Sequence, residues 1–467
     1  SRRQRQMCIR DRYLVIAFPT SAFSHSQRIL EEKQFLEYLY KGRYWEMTQF
    51  YSKSNIDCPT LKLLNSVYTA IGDNRNDLAI QLLDENMKTH WKEYDRNTQI
   101  FSGLMVNLCL TEGRYDDALA QYNWLKDVYS PLQQQYYKNQ KITADVNKMI
   151  DEEAKVMKIA RKRPQMRIVC KGEPKPIKFT LEPHIKTKLK VNETTETFLW
   201  DTGSPVAISL PHRYADELDL DYRSDSIVSG NEKIAIAYID SLMIGNYTLY
   251  HVPTCIVDMK SPIPALYKQH ASKKKLLEAM NVYNEMNCPI IGLPIIKLFE
   301  KFGIDWKYEC FFFPKEQLPT PHFKERIFMT NYSRPYLLTP ITINSMSMMG
   351  SVDTGSSFYM GLNRQYQKDN SKLFPIGYDK SNDIYSVTMI GLQDTLGVFL
   401  LNPSLTYGYT AMKPTYLIKL RDSVMTNEPW DVLLGYPFFK SLGEAMVIDF
   451  KEMKVKIWEK SDNPRLY

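Results

Sequence analysis

Two periodicities divide the chain. From residue 28 to about 160, apolar residues recur at helical spacing, Pro is scarce and good helix formers dominate, which predicts an all-α region. Three segments there share a plan: LYKGRYWEMTQFY around Gly42, YTAIGDNRNDLAIQLL around Gly72 and CLTEGRYDDALAQYNWL around Gly113. In each, a helix is expected to end near the Gly, and a second helix to open on an aromatic or polar residue followed by Ala or a large apolar side chain. The pattern predicts helical hairpins with irregular spacings of 30 and 41 residues.

At residues 160–179, ARKRPQMRIVCKGEPKPIKF, the pattern changes to basic residues, then Pro and Gly, then apolar/polar alternation of period two. This marks a domain boundary. Beyond it the chain reads as short β-strands, interrupted by a helical, basic insertion at residues 267–286. The hairpins before the boundary resemble tetratricopeptide-like units, the last (Gly113, Tyr115, Ala118) most closely.

The β-rich part repeats itself. HIKTKLKVNETTETFLWDTGS has a partner in LLTPITINSMSMMGSVDTGSS. In both, an alternating strand ends at an Asn (Asn192, Asn344), a polar turn follows, and a second strand delivers an Asp nine residues later (Asp201, Asp353). Farther on, CPIIGLPIIKLFEKFGIDWKYECFFF matches WDVLLGYPFFKSLGEAMVIDFKEMKVKIW. Each has two apolar residues, a Gly (Gly292, Gly435), a Pro two later, a short helix, and an Ile-Asp opening a last hairpin. The Asp-to-Gly separations are 91 and 82 residues. One Asp-Thr-Gly arises by chance in roughly one chain in ten of this length. Two with the same flanks do not.

On these motifs, residues 165–460 resemble the two lobes of a pepsin-type aspartic peptidase, or two fused subunits of the retropepsin kind, and in particular the exported aspartyl protease family of Bacteroidetes-like bacteria. The resemblance implies an all-β bilobal acid-protease fold, with lobe 1 at residues 165–316 and lobe 2 at 325–460, behind the helical module at 28–160. It implies an aspartic endopeptidase that needs no metal or cofactor, with peptide or protein as substrate. It also implies that the Thr202 and Thr354 hydroxyls each hydrogen-bond the opposite lobe's loop, and that the Gly292 and Gly435 strands support those loops.

The chemistry of the residues agrees. Hydrolysis without a metal or covalent nucleophile requires a base to deprotonate water and an acid to protonate the carbonyl oxygen. Two carboxyls sharing one proton, Asp201 and Asp353, supply both. Gly203 and Gly355 suit a tight loop where a Cβ would crowd the carboxylates. Ser204 and Ser356 are placed to hydrogen-bond the outer carboxylate oxygens. A flap hairpin is expected over the substrate, with Gly230 near its tip in lobe 1 and Tyr238 as its aromatic or as a plain strand residue, and a second flap near Gly391 in lobe 2.

Composition narrows the alternatives. Charged residues make up 24% of the chain, and much of the +7 formal charge lies in the opening SRRQRQMCIRDR, so nucleic acid and anionic membranes are not implied as partners. That opening resembles a translated sequencing-adapter remnant. The apolar run after it reads as a truncated signal peptide, so residues 1–26 are set apart and a periplasmic or secreted protein is expected. No apolar run is long enough to span a bilayer. The seven His and seven Cys show no HExxH, CxxC or other metal-ligand spacing. One or two disulfides in the middle third are open to the sequence. A monomer pairing its lobes within one chain is the simpler arrangement, with exchange between chains the other. The alternative to an enzyme is a non-catalytic scaffold binding protein through the helical module and protease-like lobes.

Overall fold

The computed structural model describes residues 26–460 except 95–96, 138–164, 182, 223–225, 230–231, 259–271, 316–317, 331–334, 380–383, 389–390, 396, 415 and 422–427. Cα packing separates two units, one of Ser1–Gln165 with Ile227–Lys233 and Met329–Arg334, the other of the remaining chain.

In the first unit, helices follow one another over Ser26–Tyr40, Tyr44–Tyr51, Pro59–Gly72, Asn76–Tyr94, Asn97–Thr111 and Tyr115–Trp124, then a π-helical turn Leu125–Tyr129 and Ser130–Tyr137. Helices end where the backbone turns left-handed. Gly42 and Gly113 both have φ +70°; the middle helix ends at Gly72, as expected, and there the left-handed residue is Asn74, with φ 55°. The three ends are closed alike, by Arg43 N–H to Tyr38, Arg75 N–H to Ala70 and Arg114 N–H to Cys109 carbonyls. This is the six-to-one bond of a Schellman cap, which satisfies carbonyls the helix leaves unpaired. The amphipathic faces bury one continuous core, including Phe35, Met47, Val67, Leu83, Phe101 and Leu108.

The second unit contains two sheets built to one plan. In lobe 1, the strand Thr194–Asp201 lies between Ile185–Val191, antiparallel, and Ile290–Gly292, parallel; the latter also pairs with Ile208–Leu210, which runs parallel to Tyr247–Ile256. In lobe 2 the same order is Leu337–Ile343, Met346–Asp353, Val432–Gly435, Met360–Asn363 and Ile418–Arg421. The two short glycine-ended strands are buried along their length and read as continuous apolar runs, as parallel strands covered on both faces do.

Asn192 and Asn344, both at φ 50°, turn the two long hairpins. The Asn192 side-chain carbonyl accepts from Ser241 N–H and that of Asn344 from Ser404 N–H, tying each turn to a neighbouring strand. The expected last hairpins of the two lobes come together in a third sheet of six strands. Lys301–Asp305 pairs antiparallel with Ala445–Asp449 at its centre, flanked by Cys310–Phe312 and Lys454–Trp458 and closed by Ile177–Lys178 and Phe323–Arg326. Within the basic insertion a helix forms at Lys273–Met286, and its Val282, Tyr283 and Met286 pack on Leu199 and Ile290 beside the Asp201 strand. The six cysteines from Cys58 to Cys310 are all free, which closes the question of bridges that the sequence left open for them, and Cys109, Cys288 and Cys310 are buried.

Candidate active site

Asp201 and Asp353 stand at the ends of equivalent strands, each opposite the glycine of its supporting strand in parallel register, Asp201 with Gly292 and Asp353 with Gly435. The structure brings the two together, and their carboxyls hydrogen-bond each other. Gly203 and Gly355 make this approach possible. A Cβ on Gly203 would lie 2.8 Å from the Asp353 carboxyl carbon, and one on Gly355 would lie 2.4 Å from that of Asp201. Each glycine faces the opposite lobe's carboxylate. At Gly292 and Gly435 an added Cβ would collide with backbone, 2.0 Å from the Val206 carbonyl and 1.8 Å from that of Phe358, so these strands pass their loops at a distance that no side chain permits.

Thr202 and Thr354 lock the two loops. Thr202 Oγ1 donates to the Val352 carbonyl at 2.8 Å and accepts from Thr354 N–H at 3.0 Å. Thr354 Oγ1 donates to the Trp200 carbonyl at 3.1 Å and accepts from Thr202 N–H at 3.0 Å. Both threonines are buried, so each bond forms away from competing water, and loss of one hydroxyl strands a buried amide and a buried carbonyl together.

Ser204 and Ser356 act through their backbones, which corrects the expectation of hydroxyl contacts to the carboxylates. The N–H groups of Gly203 and Ser204 face the Asp201 carboxyl, with Gly203 N–H 2.7 Å from Oδ1, and those of Gly355 and Ser356 face Asp353. The Ser356 hydroxyl instead accepts from Phe358 N–H. Among the flap residues, Gly230 lies outside the described residues. Tyr238 sits in the strand Glu232–Ile244 opposite Pro253, where that strand pairs with Tyr247–Ile256, so it belongs to the sheet body and not to a flap tip. Near Gly391, strands Ile384–Thr388 and Gly391–Thr395 form a two-stranded hairpin.

The electrostatics are those of a pair holding one proton. Burial, then the charge of Asp353, raises Asp201 well above the ordinary carboxyl range. Asp353 is raised by burial, but the hydrogen bond from Asp201, the Arg421 guanidinium and the loop amides oppose the rise. Both carboxyls are raised, so the two share one proton and both titrations belong to the pair.

Two residues absent from the motif complete the surroundings. His184 is buried in the turn before the Ile185–Val191 strand, where its ring hydrogen-bonds the Gly355 backbone while its Nδ1 is buried without a partner. Burial pushes its pKa down to about 4. The neighbouring Pro183 carbonyl accepts from the hydroxyl of Tyr436, the residue after Gly435. Arg421 ends the Ile418–Arg421 strand with its guanidinium 5.4 Å from the Phe358 ring centre. A His preceding a strand and an Arg in an Ile-Lys-Leu-Arg alternation carry no sequence signal for such positions. Among the described residues, no cluster of three metal-ligating side chains exists, and no helix is long and apolar enough to cross a membrane.

No protein-family model matches the chain, and no curated protein matches it. Among solved structures the chain is similar to a retropepsin-like aspartic protease from Rickettsia conorii, at 17% identity over 32% of this chain and 92% of that one, with a TM-score of 0.20. A likeness of that size carries no functional weight, and the site stands on its own geometry.

Proposed function

We propose that the protein is an aspartic endopeptidase that hydrolyses peptide bonds with a water held between Asp201 and Asp353. The observation that carries this is the meeting of the two Asp-Thr-Gly loops, carboxyl to carboxyl, across a reciprocal threonine lock. Asp353 takes a proton from the water as its oxygen bonds the scissile carbon, and Asp201 gives its proton to the carbonyl oxygen. The resulting gem-diol collapses as Asp353 returns a proton to the leaving nitrogen and a diol proton returns to Asp201. The C–N bond breaks, and the pair ends as it began. Amides fixed around both carboxyls need no reorganisation during these steps.

Both loops come from one chain, so a monomer is sufficient for activity. The helical unit, with its tetratricopeptide-like hairpins, is proposed to hold a protein partner or substrate, and export to the periplasm or beyond completes the proposal.

The test is cleavage of casein by residues 28–467 between about pH 3 and 8, which brackets carboxyl-pair titrations, with and without pepstatin. Activity absent from Asp201→Asn and from Asp353→Asn is the expected result. Full hydrolysis by either variant would remove the dyad from the mechanism. A folded protein silent at every pH would leave the scaffold alternative in its place.

A further inference from the structure

Resting on the peptidase reading, we infer that Arg421 is a specificity-determining residue that receives an anionic group of the substrate, a Glu or Asp side chain beside the scissile bond. The inference begins with a break in the symmetry of the lobes. Leu434 pairs with Met360 as Ile291 pairs with Ile208, and Met360 and Ile208 run parallel to Ile418 and Thr254. Counting three residues on, Arg421 of lobe 2 occupies the place that Val257 holds in lobe 1. One side of the site therefore carries a fixed cation where the other carries an aliphatic residue.

The position is built to hold that cation. The Arg421 stem runs over Gly361, where a Cβ would lie 2.5 Å from Arg421 Cδ. The guanidinium lies over the Phe358 ring, five residues past Asp353 in the same loop, and its charge reaches Asp353. The residue is neither fully buried nor exposed, so it is partly stripped of water while part of its surface remains accessible. Burial penalises its charge, and Asp353 and Glu428 oppose that penalty only through space. Among the described residues Arg421 forms no ion pair and no side-chain hydrogen bond, although five N–H donors point from its planar head. A carboxylate entering here gains a two-pronged, charge-assisted contact, and its own desolvation is offset by a cation that has already lost much of its water. An amide of the same shape gains far less.

The experiment uses the full chain and one internally quenched peptide scaffold. Each residue within three positions of the scissile bond is changed in turn between Gln and Glu, at about pH 5.5, where a peptide Glu is largely ionised. The expected result is one position at which Glu exceeds Gln by about tenfold or more in kcat/KM. Arg421→Gln is expected to bring that ratio near one, and Arg421→Glu to turn the preference toward Lys. A binding arm runs beside it: the Asp201→Asn protein, with and without Arg421→Gln, titrated with the fluorescein-labelled Glu and Gln peptides. That arm reads the Arg421 preference without turnover, so inert dyad chemistry with a retained Glu preference would sink the peptidase reading alone. Equal treatment of Glu and Gln in both arms by the proteins that keep Arg421 overturns the inference, as does a Glu preference that survives Arg421→Gln. A guanidinium serving only to hold Asp353 ionised would change the pH profile on substitution and leave the Glu-to-Gln ratio unmoved.

Discussion

Lobe 1 and lobe 2 deliver the same loop from different surroundings. Before its Asp, lobe 1 places Trp200, stacked on Phe302 and donating to Thr187, whereas lobe 2 places Val352. Three residues past Thr254 lobe 1 has Val257, and three past the equivalent Ile418 lobe 2 has Arg421. Against this divergence stand the positions that recur: the left-handed Asn of the hairpin turn, the Asp, the crossed Thr, the loop Gly, the Gly of the supporting strand and the buried Asp of the last hairpin. Asp305 accepts from Tyr308 N–H and Asp449 from the N–H groups of Lys451 and Glu452, so both hold a turn, Asp449 also pairing with Lys456. Backbone geometry is duplicated, while space-filling and the lining of the site are free to drift.

The strongest challenge to this equivalence is at the carboxyls. Asp201→Asn and Asp353→Asn are each expected to lower hydrolysis about a thousandfold or more, measured as initial rates on casein. Asp201→Asn also separates activity from stability. Its native pKa is raised, so the favourable contribution is present at low pH and lost as pH rises past the unfolded value near 3.8 toward the native one. The Asn variant should melt about 2–4 °C higher than wild type at pH 7. An unchanged or lower melting temperature there would show that the pair does not strain the fold.

Next in size are the supporting glycines. Gly292→Ala and Gly435→Ala each drive a Cβ into a carbonyl of the neighbouring loop, at 2.0 and 1.8 Å. Each is expected to cost about 3 kcal/mol or more in urea denaturation. A mild effect in one lobe alone would locate the more compliant loop. The threonine lock is smaller. Thr202→Val and Thr354→Val should each cost about 1–3 kcal/mol, and the double variant less than their sum, because the two hydroxyls share one network.

The smallest effect tests an asymmetry, since it belongs to lobe 1's turn against lobe 2's loop. The native pKa of His184, about 4, lies below the unfolded value near 6.5, so its contribution is complete above pH 6.5 and fades as pH falls toward 4. Its upper limit is about 3 kcal/mol. His184→Gln, which keeps a donor for the Gly355 carbonyl but does not titrate, should flatten melting temperature against pH across that window. A wild-type curve already flat there would remove His184 from the acid response.

The repeated positions were legible in the sequence because geometry admits so few residue types at each. Asn suits a left-handed turn, Gly a close approach, and Asp-Thr-Gly a loop whose threonine hydroxyl, amides and carboxyl are all engaged, so duplication exposed them. The helical hairpins were legible from their period and the helix ends near their glycines, while the left-handed residue after Gly72 is Asn74, since Asn also tolerates that region. Arg421 and His184 were not legible. In Ile-Lys-Leu-Arg the polar face of a strand ordinarily meets solvent, and only the chain's return beside Asp353 turns that face inward. The serine roles were misjudged because a sequence displays hydroxyls and conceals the amides behind them.

The six-stranded sheet governs when the protein can come into being. Its central pair joins Lys301–Asp305 to Ala445–Asp449, and its outer hairpin partner extends to Trp458. A chain emerging from the ribosome cannot seat the last hairpin of lobe 1 against its partner until nearly all of lobe 2 has been made. Pairings so distant along the chain form late and slowly. Under the proposed function, a growing chain would be unable to cut anything, its neighbours or itself, until the last hairpin of lobe 2 had been made.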